Sequence, residues 1–231
     1  SYEQSLLDGA DGVGGISVPY AIVCAPGGQH LYVGSGRDDA IVQFHLGAKS
    51  GAVTPGAQLH AGIGGALGLS GLLSLALAPD GRQLYAASRD DDALVVFNRD
   101  ALDGSLAWRQ SFFDDDGVNA LRYARHVVVS PDARHIYVAS AYEGIAMFER
   151  DMRTGCLQFV EDYPPVMQYS VWPKYPLFLA LAPDGATIYM TLGNQIYDGP
   201  IVSGGAGSPE LHVYARDAAT GRLTFVESWT S

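Results

Sequence analysis

A proline followed by Asp-Gly, Gly-Gly or Asp-Ala recurs at Pro26, Pro79, Pro131 and Pro183, with spacings of 53, 52 and 52 residues. Six residues after each stands a tyrosine (Tyr32, Tyr85, Tyr137, Tyr189), so the same spacings return. Side chains that recur at one interval over most of a chain imply a structural unit of that length, repeated. Each proline is preceded by a run that is mostly apolar (Tyr20–Ala25, Leu73–Ala78, Arg125–Ser130, Leu177–Ala182), and each tyrosine sits in a second short run. A third run carries an aromatic residue, Phe44, Phe97, Phe148 or Tyr214, and Asp-Ala-Leu-Asp-Gly (100–104), Asp-Met-Arg-Thr-Gly (151–155) and Asp-Ala-Ala-Thr-Gly (217–221) introduce a fourth.

Runs of four to seven apolar or alternating residues, bounded by Pro-Asp-Gly or Gly, read as strands joined by tight turns. Each unit is then a four-stranded antiparallel meander, and a repeat of about 50 residues with four strands reads as a β-propeller blade. The expected fold is all-β, a propeller domain or segment with blades at 16–61, 70–116, 121–165 and 175–229; residues 1–15 are read as the end of a preceding outer strand plus a linker. The first run, the most continuously apolar, is predicted to be innermost and buried on both faces. The fourth, with Trp108 and Phe225, is predicted to be the outer strand.

Two longer stretches match the lactonase-type propellers with YVTN-like and 6-phosphogluconolactonase-like repeats: Ser-Pro-Asp-Ala-Arg-His-Ile-Tyr-Val-Ala-Ser (130–140) and Tyr-Ala-Arg-Asp-Ala-Ala-Thr-Gly-Arg-Leu-Thr-Phe-Val-Glu-Ser (214–228). The chain resembles that family over nearly its whole length. The shared residues are turn and core residues, and one fold hosts many functions. Such propellers usually have seven blades, whereas four repeats are visible, and the opening Tyr-Glu-Gln-Ser (2–5) resembles Phe-Val-Glu-Ser (225–228) near the other end. A segment of a larger propeller, a closed four-bladed ring, or a ring completed by another chain or by self-association are the three readings. An incomplete ring is expected, because four blades demand sharper packing angles, and an exposed apolar blade face would call for a partner.

Charge narrows the partners. Twenty-five acidic residues face fourteen basic ones, a formal charge of −11, and Lys49 and Lys174 are the two lysines, which excludes a nucleic-acid backbone as a partner. The uncharged stretch Ala61–Ala78 contains five glycines and ends in a predicted strand, so no membrane span is read in it. No basic segment followed by an apolar core opens the chain as given. Its acidity, low lysine and few cysteines fit an extracellular or periplasmic product. Cys24 is expected to be buried in an inner strand and Cys156 to begin an outer one, without a mutual disulfide.

Three candidate sites follow. Asp38, Asp39, Asp90, Asp91 and Asp92 lie in second-to-third-strand turns, and oxygen-rich turns of this kind could hold Ca²⁺. The alternative is that they are turn formers, since no Ca²⁺-loop motif is present and no cofactor is required. At the start of the third inner strand, Arg125 and His126 form a pair that could hold a carboxylate or lactone carbonyl and move a proton; Tyr20 lies at the matching position of the first. Trp172, Lys174 and Tyr175, beside the Gly-rich insertion 193–209, could form an aromatic surface for a small molecule or glycan. The leading expectation is a binding or interaction module using an acidic, loop-rich face. The alternative is a lactone hydrolase acting at the central channel, as the resemblance implies, and a second alternative is a carbohydrate-binding propeller.

Overall fold

The computed structural model describes residues 5–10, 12–48, 51–164, 175–193 and 209–230. Sixteen strands form four antiparallel sheets of four, each in simple chain order. Sheet I comprises β1 (Pro19–Cys24), β2 (His30–Ser35), β3 (Ala40–Leu46) and β4 (Val53–His60). Sheet II comprises β5 (Leu72–Leu77), β6 (Gln83–Ser88), β7 (Ala93–Arg99) and β8 (Leu106–Phe113). Sheet III comprises β9 (Ala124–Val129), β10 (His135–Ser140), β11 (Gly144–Arg150) and β12 (Leu157–Tyr163). Sheet IV comprises β13 (Tyr175–Leu181), β14 (Thr187–Gly193), β15 (Glu210–Arg216) and β16 (Leu223–Thr230). No α-helix occurs among the described residues, and none there is long and apolar enough to cross a membrane. The uncharged stretch 61–78 instead holds a short 3-10 turn, Ile63–Gly65, and β5.

The repeat extends to irregularities. The first strand of every sheet slips register near its start, at Pro19/Ala21, Leu72/Ser74, Ala124/His126 and Pro176/Phe178. The third and fourth strands slip again beside the aromatic residue, at Val42/Phe44, Val96/Phe97, Met147/Phe148 and Val213/Tyr214. A bulge increases local twist, so equivalent bulges give the four sheets a common curvature.

The chain divides into two compact units, residues 1–113 and 114–231. In unit 1, Tyr32 and Ile41 of sheet I pack against Leu72, Leu84, Val95 and Phe97 of sheet II. In unit 2, Tyr137, Ile145 and Met147 of sheet III pack against Leu179, Ile188, Met190 and Tyr214 of sheet IV. Alternation decides which side chains meet, because successive residues of a strand point to opposite faces.

The same junction joins the sheets within each unit. In unit 1 the Tyr32 hydroxyl donates to the Gly104 carbonyl (2.5 Å) and accepts from Arg99 Nε (2.7 Å). Arg99 also donates to the Gly81 carbonyl (3.1 Å) and to His30 Nδ1 (2.8 Å). In unit 2 Tyr137 donates to the Gly221 carbonyl (2.5 Å) and accepts from Arg216 Nε (2.9 Å), while Arg216 reaches the Gly185 carbonyl (3.0 Å), His135 Nδ1 (2.7 Å) and Asp132 (3.2 Å). Arginine only donates, so both histidines present an unprotonated Nδ1. The recurring tyrosine, the Pro-Asp-Gly turn and the Asp-x-x-x-Gly turn are thus parts of one contact made between neighbouring sheets. Burial first, and the guanidinium second, hold His30 and His135 below the ordinary histidine value. Burial pushes Tyr137 up to about 12.

Two expectations are corrected. The first strand is not the one buried on both faces: in β1, Tyr20 is 48% and Ile22 66% exposed, whereas β6 and β10 are buried throughout. The first strand is a sheet edge, and the second has hydrogen-bonded neighbours on both sides. Cys24 is exposed rather than buried; it and Cys156 are free thiols.

Candidate active site

Within unit 2, the segment before β9, the turn between β10 and β11, and the start of β13 come together. Tyr123 stands immediately before β9 with φ 62°, a left-handed conformation unusual for a side chain of this size. Its ring packs edge-on against Tyr142 (centroids 5.8 Å apart), and Tyr142 packs edge-on against Tyr175 (5.6 Å). Two guanidinium groups lie over this cluster, Arg122 at 5.0 Å from the Tyr142 ring and Arg125 at 5.9 Å from the Tyr123 ring. Ring faces attract cations, so the tyrosines orient both arginines without neutralising them.

Beside them the Glu143 carboxylate accepts the Arg122 backbone N–H (3.1 Å), and the Asp114 carboxylate accepts the Leu121 N–H (3.0 Å). Burial raises Glu143 above the ordinary carboxyl value; the Arg122 N–H opposes this, and the hydrogen-bonded Asp114 raises it further. The site therefore holds two cations, three phenol rings and a carboxyl pair.

The predicted residues fall as follows. Arg125 belongs to this cluster. His126 is turned toward β13: its Nδ1 accepts the Leu179 backbone N–H (3.3 Å), and its ring meets Phe178 edge-on at 5.6 Å. Burial lowers its pKa, and with Nδ1 engaged the neutral ring carries its proton on Nε2. Tyr175 joins the cluster, while Trp172 and Lys174 lie outside the described residues. Tyr20, in unit 1, lines a shallow apolar groove with Ile16, Pro19, Ile22 and Val33.

The acidic turns of unit 1 hold loops. Asp38 accepts from the Ser17 N–H (2.7 Å) and from the hydroxyls of Ser17 (2.8 Å) and Ser35 (3.0 Å), which lowers its pKa. Asp39 accepts the Gly71 N–H (2.9 Å), Asp91 the Ser70 N–H (2.9 Å), and Asp90 pairs with Arg89 (2.7 Å). Among the described residues no group of three or more His, Cys, Asp or Glu side chains is arranged to hold a metal ion. Asp38, Asp39, Asp90, Asp91 and Asp92 are placed in these turns without forming such a group.

Sequence reasoning did not connect Tyr123, Tyr142 and Glu143. The available signal was a departure from the repeat: where sheets I and II turn on Ser-Gly-Arg-Asp-Asp (35–39) and Ser-Arg-Asp-Asp-Asp (88–92), sheet III has the shorter Ser-Ala-Tyr-Glu (140–143).

A profile of the family described as Lactonase, 7-bladed beta-propeller matches residues 17–175. No match is found among curated protein sequences. Among solved structures, a candidate 6-phosphogluconolactonase from Bacteroides uniformis aligns over 92% of this chain and 55% of its own, with 19% identity and a TM-score of 0.70. The periplasmic gluconolactonase PpgL of Pseudomonas aeruginosa aligns over 92% and 54%, with 22% identity and a TM-score of 0.68. A protein from Lactobacillus plantarum aligns over 92% and 57%, with 20% identity and a TM-score of 0.68. At such identities the likeness speaks for the fold, and the chain spans little more than half the length of these structures. With a profile match over well more than half of its residues, the chain belongs to the lactonase family of seven-bladed β-propellers.

Proposed function

We propose that this protein hydrolyses a small lactone at the loop end of unit 2. The observation that carries the reading is the placing of two ring-oriented arginines beside the Glu143 carboxylate, which the Arg122 N–H holds and burial raises above the ordinary value, in a chain of the lactonase family. Lactone hydrolysis adds water across the ring ester. A bond forms from water oxygen to the carbonyl carbon, the ring C–O bond breaks, and the ring oxygen leaves as a hydroxyl. Arg122 and Arg125 would stabilise negative charge developing on the carbonyl oxygen. The Glu143 carboxylate would take the proton from the attacking water and pass it to the ring oxygen as that oxygen leaves. His126 is assigned to positioning, holding β13 against β9 through the Leu179 N–H.

Turnover of a panel of aldonolactones, followed by release of acid, tests this. Arg122→Ala is expected to lower kcat/KM by about 100-fold while leaving the melting temperature unchanged. A folded wild-type protein without turnover on the panel moves the function to the alternative, a binding module. We also propose a periplasmic or extracellular location, supported by the periplasmic neighbour; recovery in the cytoplasmic fraction contradicts it.

A further inference from the structure

The two units fill the space between the fourth strands of their sheets differently. In unit 2 it is occupied by Tyr163 of β12, which packs against the core shared by sheets III and IV. Its hydroxyl accepts the Leu223 backbone N–H (3.0 Å), donates to the Glu161 carboxylate and lies 3.7 Å from Met147 Sδ. The N–H it accepts is one that the sheet leaves over. The Asp217 N–H closes the hairpin on the Arg222 carbonyl (2.9 Å), so the next N–H, that of Leu223, points off the free edge of β16.

Unit 1 has the same backbone pairing and other side chains. Ile41 pairs with Leu59 as Ile145 pairs with Tyr163, so Leu59 stands in place of Tyr163, and Ala57, two residues earlier, in place of Glu161. Arg99 pairs with Leu106 as Arg216 pairs with Leu223. The Asp100 N–H closes that hairpin on the Ser105 carbonyl (2.9 Å), which directs the Leu106 N–H to the free edge of β8. Where unit 2 holds a phenol and a carboxylate, unit 1 has a cavity of about 440 Å³ whose walls include Gln43, Ala57, Leu59, Leu106 and Trp108. Its size is that of a small-molecule site.

Two of the walls are held in place. Trp108 Nε1 donates to Ser111 Oγ (3.0 Å), which donates to the Leu67 carbonyl (2.7 Å), and Gly65 packs so close that a Cβ there would lie 3.2 Å from the indole. Gln43 is buried, and its amide nitrogen donates to the Asp103 carbonyl (2.5 Å). None of the side chains lining the cavity is charged.

We infer that this cavity of unit 1 binds a small neutral phenol, whose ring takes the place of Tyr163 against Trp108 and whose hydroxyl accepts the Leu106 N–H. The Gln43 carboxamide oxygen accepts the hydroxyl proton, as the Glu161 carboxylate does from Tyr163. An uncharged lining selects a phenol over a ring bearing a carboxylate, because a buried ion needs a partner. The inference does not rest on the chemistry proposed for unit 2, and its test reads binding rather than turnover.

Isothermal titration of the full chain with 4-methylphenol is expected to show one site, with toluene, which lacks the hydroxyl, bound about 10-fold more weakly. Leu59→Tyr, which restores the internal phenol, should abolish binding. Ala57→Phe, at an exposed position, should block the same space and serves as the test where Leu59→Tyr fails to fold. Trp108→Ala should weaken binding about 10-fold. Four results overturn the inference: no binding of 4-methylphenol to the folded chain, equal affinity for toluene, equal affinity for 4-methylbenzoate, or undiminished binding to folded Leu59→Tyr or Ala57→Phe protein.

Discussion

Units 1 and 2 use the same junction and differ at their loop ends. Arg99 and Arg216 make equivalent bonds to a neighbouring tyrosine, a histidine and a turn carbonyl. At the turns between second and third strands carboxylates of both units accept loop N–H groups, but unit 2 sets its Glu143 beside Tyr142, two arginines and further tyrosines. The shared part is what any two stacked sheets need. The differing part is what stacking does not require, and there a function can be placed on a repeat without weakening it.

The largest expected effect bears on the shared part. Gly221 has φ 75°, and a Cβ there would lie 2.3 Å from the buried His135 ring and 2.4 Å from Met147. Gly104, with φ 74°, is slightly less crowded, at 2.6 Å from His30 and Gln43. Left-handed backbone and overpacking together make Gly221→Ala cost about 3 kcal/mol in urea unfolding, with a smaller loss for Gly104→Ala. Equal and negligible losses would break the equivalence of the two junctions.

A smaller effect depends on pH. His30 and His135 are held below the ordinary value of 6.5 when folded, so the unfolded chain binds more protons as pH falls through 6.5. Stability is therefore fully present above that value and declines below it, by at most about 1.4 kcal/mol per pH unit for each group. Sheet II carries Gln83 at the same position, which makes His135→Gln a tolerable change. Urea titrations between neutral pH and pH 5 should show a shallower acid decline for that variant; an unchanged slope would remove His135 from the account.

What could be read from sequence follows the same division. Pro26, Tyr32 and their equivalents are legible because each repeat restates them, and they gave the four sheets and the turns. Arg99 and Arg216 were not legible as their partners, since the bond crosses from one repeat to the next and no single repeat contains both ends. Arg125 stood out as a polar residue on an apolar strand, but its neighbour His126 turns across the sheet junction instead of into the arginine cluster. Tyr123 and the adjacent Tyr142 and Glu143 are brought together from two separate segments, and only the shortened turn at 140–143 hinted at them. The Asp-Asp turns were legible as turns, and their hydrogen bonds to loop N–H groups agree with the turn-forming alternative.

The central claim is that the departure from the repeat, not the repeat itself, carries the chemistry. It is tested most directly by comparing Glu143→Gln with Asp91→Asn, carboxylates at corresponding turns of sheets III and II, in lactone turnover on folded protein. The expected result is a loss of about 100-fold or more in kcat for Glu143→Gln and an unchanged kcat for Asp91→Asn. Equal rates for the two variants, or a loss confined to Asp91→Asn, would contradict it.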